Sequence, residues 1–327
     1  MKALHRAVAL GLVGALAAPA LAQPAAQPKP KDIQSQDTAA EAPADPHRWF
    51  YQSLSVLRLN PLGLITRNQI GYMYKLWGAP PVDESAPLGQ KLKQNTYLKV
   101  ALNTQLSPGF VRPGVLVEAV PLALLVLRAR LEHHTYFGAF NLTTDFDSPT
   151  AAHDEDTLDA AHSYATTGWS ARLDARLQIK LGKVAARSEL RAEYFNLDLE
   201  DDAPVFYESV LDTLVPNRGW GLVKDTDLLY FANDNWIIGA RWTWTKALFE
   251  ADDYRPGEAQ TPNNSPMHRV GPAIIWQMDP KRTGTLFNQP TMFLITQFWL
   301  EHASRAGQQV TQAYPYTLLG FAFNGDL

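Results

Sequence analysis

SARLDARLQIKL, residues 170–181, alternates without a break. Ala171, Leu173, Ala175, Leu177, Ile179 and Leu181 fall on one side, and Arg172, Asp174, Arg176, Gln178 and Lys180 on the other. A helix would scatter these charges around its circumference, whereas a strand, with its two-residue period, sorts them completely. Gly182-Lys183 supplies a tight turn, and Val184–Leu199 continues with Arg187, Glu189, Arg191 and Glu193 on one face. The pair reads as a β-hairpin.

The same period recurs outward from this hairpin. Leu125, Leu127, Ala129 and Leu131 oppose Arg128, Arg130, Glu132 and His134; Leu98, Val100, Leu102 and Leu106 oppose Lys99, Asn103 and Gln105. Trp236, Ile238, Ala240, Trp242 and Trp244 oppose Arg241, Thr243 and Thr245. Val270, Ile274, Trp276 and Met278 share a side, as do Met292, Leu294, Phe298 and Leu300. Twelve strands are predicted, over 50–59, 63–77, 95–106, 109–120, 124–136, 165–181, 184–199, 222–231, 235–248, 268–278, 291–302 and 314–327. Several exceed the five or six residues usual in soluble sheets and reach the nine to eleven that a tilted strand needs to cross a bilayer. The long connections 137–164, 200–221, 249–267 and 303–313 then fall on one face and both chain ends on the other; 78–94 is the one long connection on the terminal face.

Composition narrows the class. Hydrophobic residues make up 46% of the 327 residues, enough for a packed fold. The absence of cysteine excludes disulfides, thiolate metal sites and cysteine nucleophiles. A net charge of −4 argues against nucleic acid as a partner. Residues 1–22 read as a secretory signal: Lys2 and Arg6, an apolar run Ala7–Ala18, and Ala20-Leu21-Ala22 for cleavage. Residues 23–47, rich in Pro, Ala and Gln, read as a disordered periplasmic tail, and 48–327 as the barrel. Acidic residues gather in 143–159, 198–212 and 250–258, where solvation or divalent-cation bridging to anionic lipopolysaccharide would account for them.

Tyr72, Tyr74, Tyr97, Trp236, Trp242, Trp244 and Trp276, with Trp299, lie near strand ends, where amphipathic rings favour a membrane interface. Thr317, Leu319, Phe321, Phe323 and Leu327 keep one register to the C-terminus. Signal, alternating strands, aromatic positions and closing strand together resemble the porin-like outer-membrane β-barrel class of Gram-negative bacteria. The resemblance implies an all-β, closed antiparallel transmembrane barrel of about 12 strands with both termini in the periplasm. It implies outer-membrane lipid, lipopolysaccharide and the barrel-assembly machinery as partners, Phe321, Phe323 and Leu327 serving as assembly signal. Leu327 departs from the aromatic residue usual at that terminus. A soluble barrel, with its apolar side inward, is the competing reading; twelve strands would enclose a wide apolar cavity in it.

In a membrane barrel the polar face lines the bore. Arg67, Lys99, Arg112, Arg128, Arg130, Glu132, His134, Arg172, Asp174, Arg176, Lys180, Arg187, Glu189, Arg191, Glu193 and Arg241 are the expected pore-lining residues. With Lys75, Arg269, Glu118 and Glu301 added, thirteen cations face six anions, a wall that favours small anionic solutes. The expectation is a passive channel without catalytic residues, metal or cofactor. Pairing of Arg128, Arg130, Arg172 and Arg176 with Glu132, Asp174, Glu189 and Glu193 would instead brace the wall. That supports the alternative of a non-conducting, export-linked barrel with a periplasmic protein partner docking on 23–47 and 78–94. A lipid hydrolase is a third reading, resting on His133, His134, His162, Ser163 and Ser170 without a specific motif.

Overall fold

The computed structural model describes residues 47–77, 92–93, 96–306 and 314–327. The expected signal (1–22), nearly all of the expected N-terminal tail (23–47) and most of the 78–94 connection lie outside these residues.

Twelve long strands hydrogen-bond in sequence order into a closed antiparallel barrel. They are β1 (Arg48–Leu59), β2 (Gly63–Lys75), β3 (Tyr97–Ser107), β4 (Phe110–Leu122), β5 (Leu125–Phe137), β7 (Ala165–Leu181), β8 (Val184–Leu197), β11 (Gly219–Phe231), β12 (Trp236–Leu248), β13 (Met267–Gln277), β14 (Asn288–Glu301) and β15 (Tyr316–Asp326). Each expected strand is present, its ends moved by three residues at most. The barrel closes where β1 pairs with β15 from Phe50↔Asp326 to Leu59↔Thr317. Closure removes both sheet edges, the condition for placing strands in lipid, where unpaired backbone groups find no water. The shortest of the twelve strands, at eleven residues, rises roughly 36 Å and covers about 25 Å of bilayer when tilted.

The alternation decides which face meets what. Leu102, Leu173 and Leu228 are 63%, 56% and 60% exposed on the outer surface, while Arg172 and Arg176 are buried inside. A continuous apolar exterior around a charged interior is the inverse of a soluble barrel and matches a lipid surround. Aromatic pairs mark both rims. Trp236 stacks on Trp276 at 5.8 Å and Trp49 meets Tyr72 at 5.5 Å near the chain termini; Trp169, Tyr194 and Trp220 form a chain at the opposite end, at 5.5 and 5.4 Å. Trp299 and Tyr97 are corrections to the rim assignment. Trp299 points inward, where Arg269 stacks on it at 5.0 Å and Tyr316 meets its edge. Tyr97 shares the inward parity of Lys99 on β3, and its hydroxyl donates to the buried Glu118 at 2.8 Å instead of reaching the interface.

The long connections 138–164, 198–218, 249–266 and 302–315 share one end of the barrel. Three short strands arise within them: β6 (Asp145–Phe146), β9 (Val205–Glu208) and β10 (Thr213–Pro216), forming a separate sheet in the order β10-β9-β6. One turn of helix, α1 (Glu155–Ala160), is capped by the Asp154 carboxylate accepting from the Thr157 N–H at 2.8 Å. The alternation rule did not foresee these pieces. Their residues have neither a lipid face nor a water face to alternate between.

Candidate functional site in the barrel lumen

Inward-facing positions of seven consecutive strands carry charges that meet those of neighbouring strands along the inner wall. Arg128 on β5 donates to Glu118 on β4 and, at 3.1 Å, to Glu189 on β8. Glu189 also takes Arg176 of β7 at 2.5 Å. Glu118 in turn accepts from Lys99 at 3.4 Å and from the Tyr97 hydroxyl at 2.8 Å. Farther round, Arg187 and Arg241 share Asp227 at 2.5 and 2.7 Å, and Arg191 pairs with Asp225, which also accepts from Thr243 at 2.6 Å. Glu118, Glu189 and Asp227 thus each bridge cationic groups from two different strands. A shared acceptor of this kind satisfies the desolvated charges that a single pair would leave short of partners.

Against the expected pairing of the central four arginines, the structure makes two changes. Arg130 and Arg172 both turn to Asp174, at 3.9 and 2.8 Å, although Arg172 stands opposite Glu193 in the register. Glu132 and Glu193 consequently take no ion pair. All sixteen expected lumen residues do face inward, Lys180 near the rim against Phe231. Glu301 is instead exposed beside His268, outside the bore, and Lys75 sits half-buried at the rim. Sequence reasoning missed Asp225, Asp227, Glu208, Asp212, Arg58 and Arg305. With these included, twelve buried cations face nine buried anions among the described residues, a smaller imbalance than the sequence suggested.

The acids Glu208 and Asp212 belong to the connection expected to be solvated. The hairpin β9–β10 instead enters the loop end of the bore, every residue from Val205 to Pro216 being buried. Its tip packs Val210 and Leu211 against a cluster that includes Phe110, Tyr136, Phe195 and Val223 from the inner wall. Glu208 accepts from Arg112 Nη2 at 2.7 Å and from the Val210 and Leu211 N–H groups, so one carboxylate both clamps the hairpin to β4 and shapes its turn. Asp212 accepts from Arg305 Nε at 2.5 Å and from the Tyr207 hydroxyl at 2.5 Å; His302 Nε2 lies 3.4 Å from it. Burial works to raise the Asp212 pKa, but Arg305 and His302 outweigh it and hold the carboxyl well below the usual range. His153 closes the arrangement from 138–164, facing Asn264 at 3.2 Å and Tyr207. Burial, then the neighbouring His302, pushes its pKa down to about 4.

Two small cavities lie inside the wall among the described residues. A cavity of about 30 Å³ lies among Gln52, Arg67, Gln69, Lys99 and Arg130, and one of about 10 Å³ lies under the hairpin tip beside Leu211 and Arg241. These volumes suit single waters. Of the hydrolase candidates, Ser170 and His134 are brought together at 2.9 Å, inside the bore. The carboxylate of Glu193 accepts from the serine at 2.9 Å, and none orients the second ring nitrogen, so the trio lacks a nucleophile–base–acid order.

A closed twelve-stranded barrel with an apolar outside and an ionic inside has the fold of the porin-like outer-membrane β-barrel class. No protein-family model and no curated protein matches the chain. Among solved structures, the NanC porin is similar at 10% identity, over 85% of this chain and 100% of that one, with a TM-score of 0.38. Omp33 of Acinetobacter baumannii is similar at 12% identity, over 87% and 100%, with a TM-score of 0.36. An outer membrane channel from Pseudomonas putida F1 is similar at 9% identity, over 89% and 100%, with a TM-score of 0.40. The overlap is loose, and the architecture stands on the register of the strands themselves.

Proposed function

We propose that the protein is an outer-membrane channel for small, preferentially anionic solutes, closed in this conformation by the hairpin 205–217. The observation that carries the reading is the way the hairpin is held. Its two acids meet arginines of the wall and of the adjoining loop, and its tip is an apolar wedge. It is therefore a separable stopper over a lumen whose own cations outnumber its anions. Withdrawal would leave Arg112 and Arg305 without their partners at the mouth, adding to the positive field that an entering anion meets. Long loops face outward and both termini face the periplasm in this account. Lipid and lipopolysaccharide surround the wall, and Phe321, Phe323 and Leu327 present the closing strand to the assembly machinery.

The second reading is a non-conducting envelope barrel, with residues 23–47 and 78–94 as docking elements. The ion pairs along the wall favour it, since Glu118, Glu189 and Asp227 each tie together cations from nearby strands inside the bore. Reversal potential across a salt gradient tests the solute preference. A variant with residues 206–215 replaced by a short Gly-Ser turn is expected to conduct with anion preference, and Arg172→Glu plus Arg176→Glu in that background to abolish the preference. Cation preference in the shortened variant, or unchanged selectivity after the charge reversal, would contradict the proposed solute class.

A further inference from the structure

Nine carboxylates are buried among the described residues, and seven of them lie in ion pairs. Glu132 on β5 and Glu193 on β8 are the two that do not. They are not scattered. One carboxylate oxygen from each, and one ring nitrogen of His134, lie within 4.8 Å of one another, all three residues buried. Two like charges brought together out of water, with no cation in contact, are costly unless something of opposite charge joins them.

The hydrogen bonds around the trio leave acceptor atoms unused. Glu132 Oε1 accepts from Asn103 at 2.6 Å and from Gln105 at 2.8 Å, but Oε2 has no partner. Ser170 on β7 gives its one proton to Glu193 Oε1, so the contact at 2.9 Å between Ser170 and His134 Nε2 makes that nitrogen the donor. In the neutral tautomer compatible with that contact the lone pair is on Nδ1, which is buried without a partner. Arg112 and Arg172 act on Glu193 electrostatically, yet each gives its hydrogen bonds elsewhere, to Glu208 and Asp174.

We propose that Glu132, His134 and Glu193 form a binding site for a divalent transition metal of the zinc class. Two carboxylates and one neutral imidazole are a nitrogen–oxygen set that zinc accepts, and their two charges balance the ion. Asn103, Gln105 and Ser170 already orient the ligands from behind, as outer partners do in metal sites. The ion would staple β5 to β8 across β7, beside the Arg112–Glu208 clamp, and so stiffen the wall on which the hairpin rests.

The test uses the full-length protein in detergent, stripped with chelator while unfolded and refolded with zinc or cobalt(II). The wild type is expected to retain one equivalent and to give a cobalt ligand-field spectrum. Glu193→Gln and His134→Asn should each weaken binding by more than about tenfold, with the heat-modifiable migration of a folded barrel retained. Asp201→Asn plus Asp202→Asn, on the exposed loop, should leave binding unchanged. Three results would overturn the proposal: no saturable equivalent in the wild type, equal metal content in the site variants, or loss of binding with the loop variant instead. A carboxylate pair that titrates as one shared proton, with no metal retained after zinc loading, would also overturn it. If Glu193→Gln does not fold, His134→Asn decides alone.

Discussion

At Asp212 a single carboxylate collects Arg305, His302 and Tyr207, and its neighbour in the fold, His153, carries no charge of its own to contribute. The two respond to acid in different windows. His153 has a folded-state pKa near 4, below that of a free imidazole. Its contribution to loop docking is complete above the free value of about 6.5 and is lost as pH falls from there toward 4. The loss amounts to about 3 kcal/mol over that window. Asp212, held well below the carboxylate range, stays ionised throughout and loses its contribution only in stronger acid. Hydrogen exchange of 145–160 and 205–217, corrected for intrinsic rate, should therefore quicken between pH 7 and 5 in the wild type. His153→Gln should remove the dependence; an unchanged pH profile in that variant would assign the effect to another group. None of this was legible in the sequence. Glu208 and Asp212 sit in PVFYESVLDTLVP, residues 204–216, where acids stand beside apolar residues in no regular order. A segment buried on every side has no face to sort, so pattern reading takes its charges as solvated.

The long strands were legible for the opposite reason. Each has one lipid face and one ionic face, and that contrast is written into its alternation. β11 shows where the contrast fails. Val223, Asp225, Asp227 and Leu229 all face inward and Lys224 faces outward, because part of the lumen wall is apolar where it meets the hairpin and the inner cluster. That mixture hid two lumen acids and shifted the expected start of the strand. Between β14 and β15 the packing is set by a glycine. Phe293 stands opposite Gly320, its ring over the bare backbone, and a Cβ there would sit 2.0 Å from the ring. Gly320→Ala should push the ring out of its place and cost about 1–3 kcal/mol. A lowered urea midpoint in detergent would report it, and an unaltered midpoint would mean that Phe293 has another rotamer at no cost.

For the whole molecule, the apolar exterior, the closed hydrogen-bonded wall and the segregation of long loops to one end all follow from strand pattern and parity. What the pattern could not supply is the state of the bore. Cations read along the strands suggested an open, strongly positive tube, whereas acids from β11 and from the inserted hairpin draw the arginines into shared pairs and fill it. In the proposed function, conduction depends on one element, the hairpin, and on the two carboxylates that hold it. The most direct measurement is single-channel current in a planar bilayer for the wild type beside Glu208→Gln plus Asp212→Asn, both verified as folded by heat-modifiable migration. A silent or rarely opening wild type and a variant with frequent, stable steps is the predicted result. Full conductance in the wild type, or silence in the variant and in the hairpin-shortened protein alike, would contradict the hairpin as the gate.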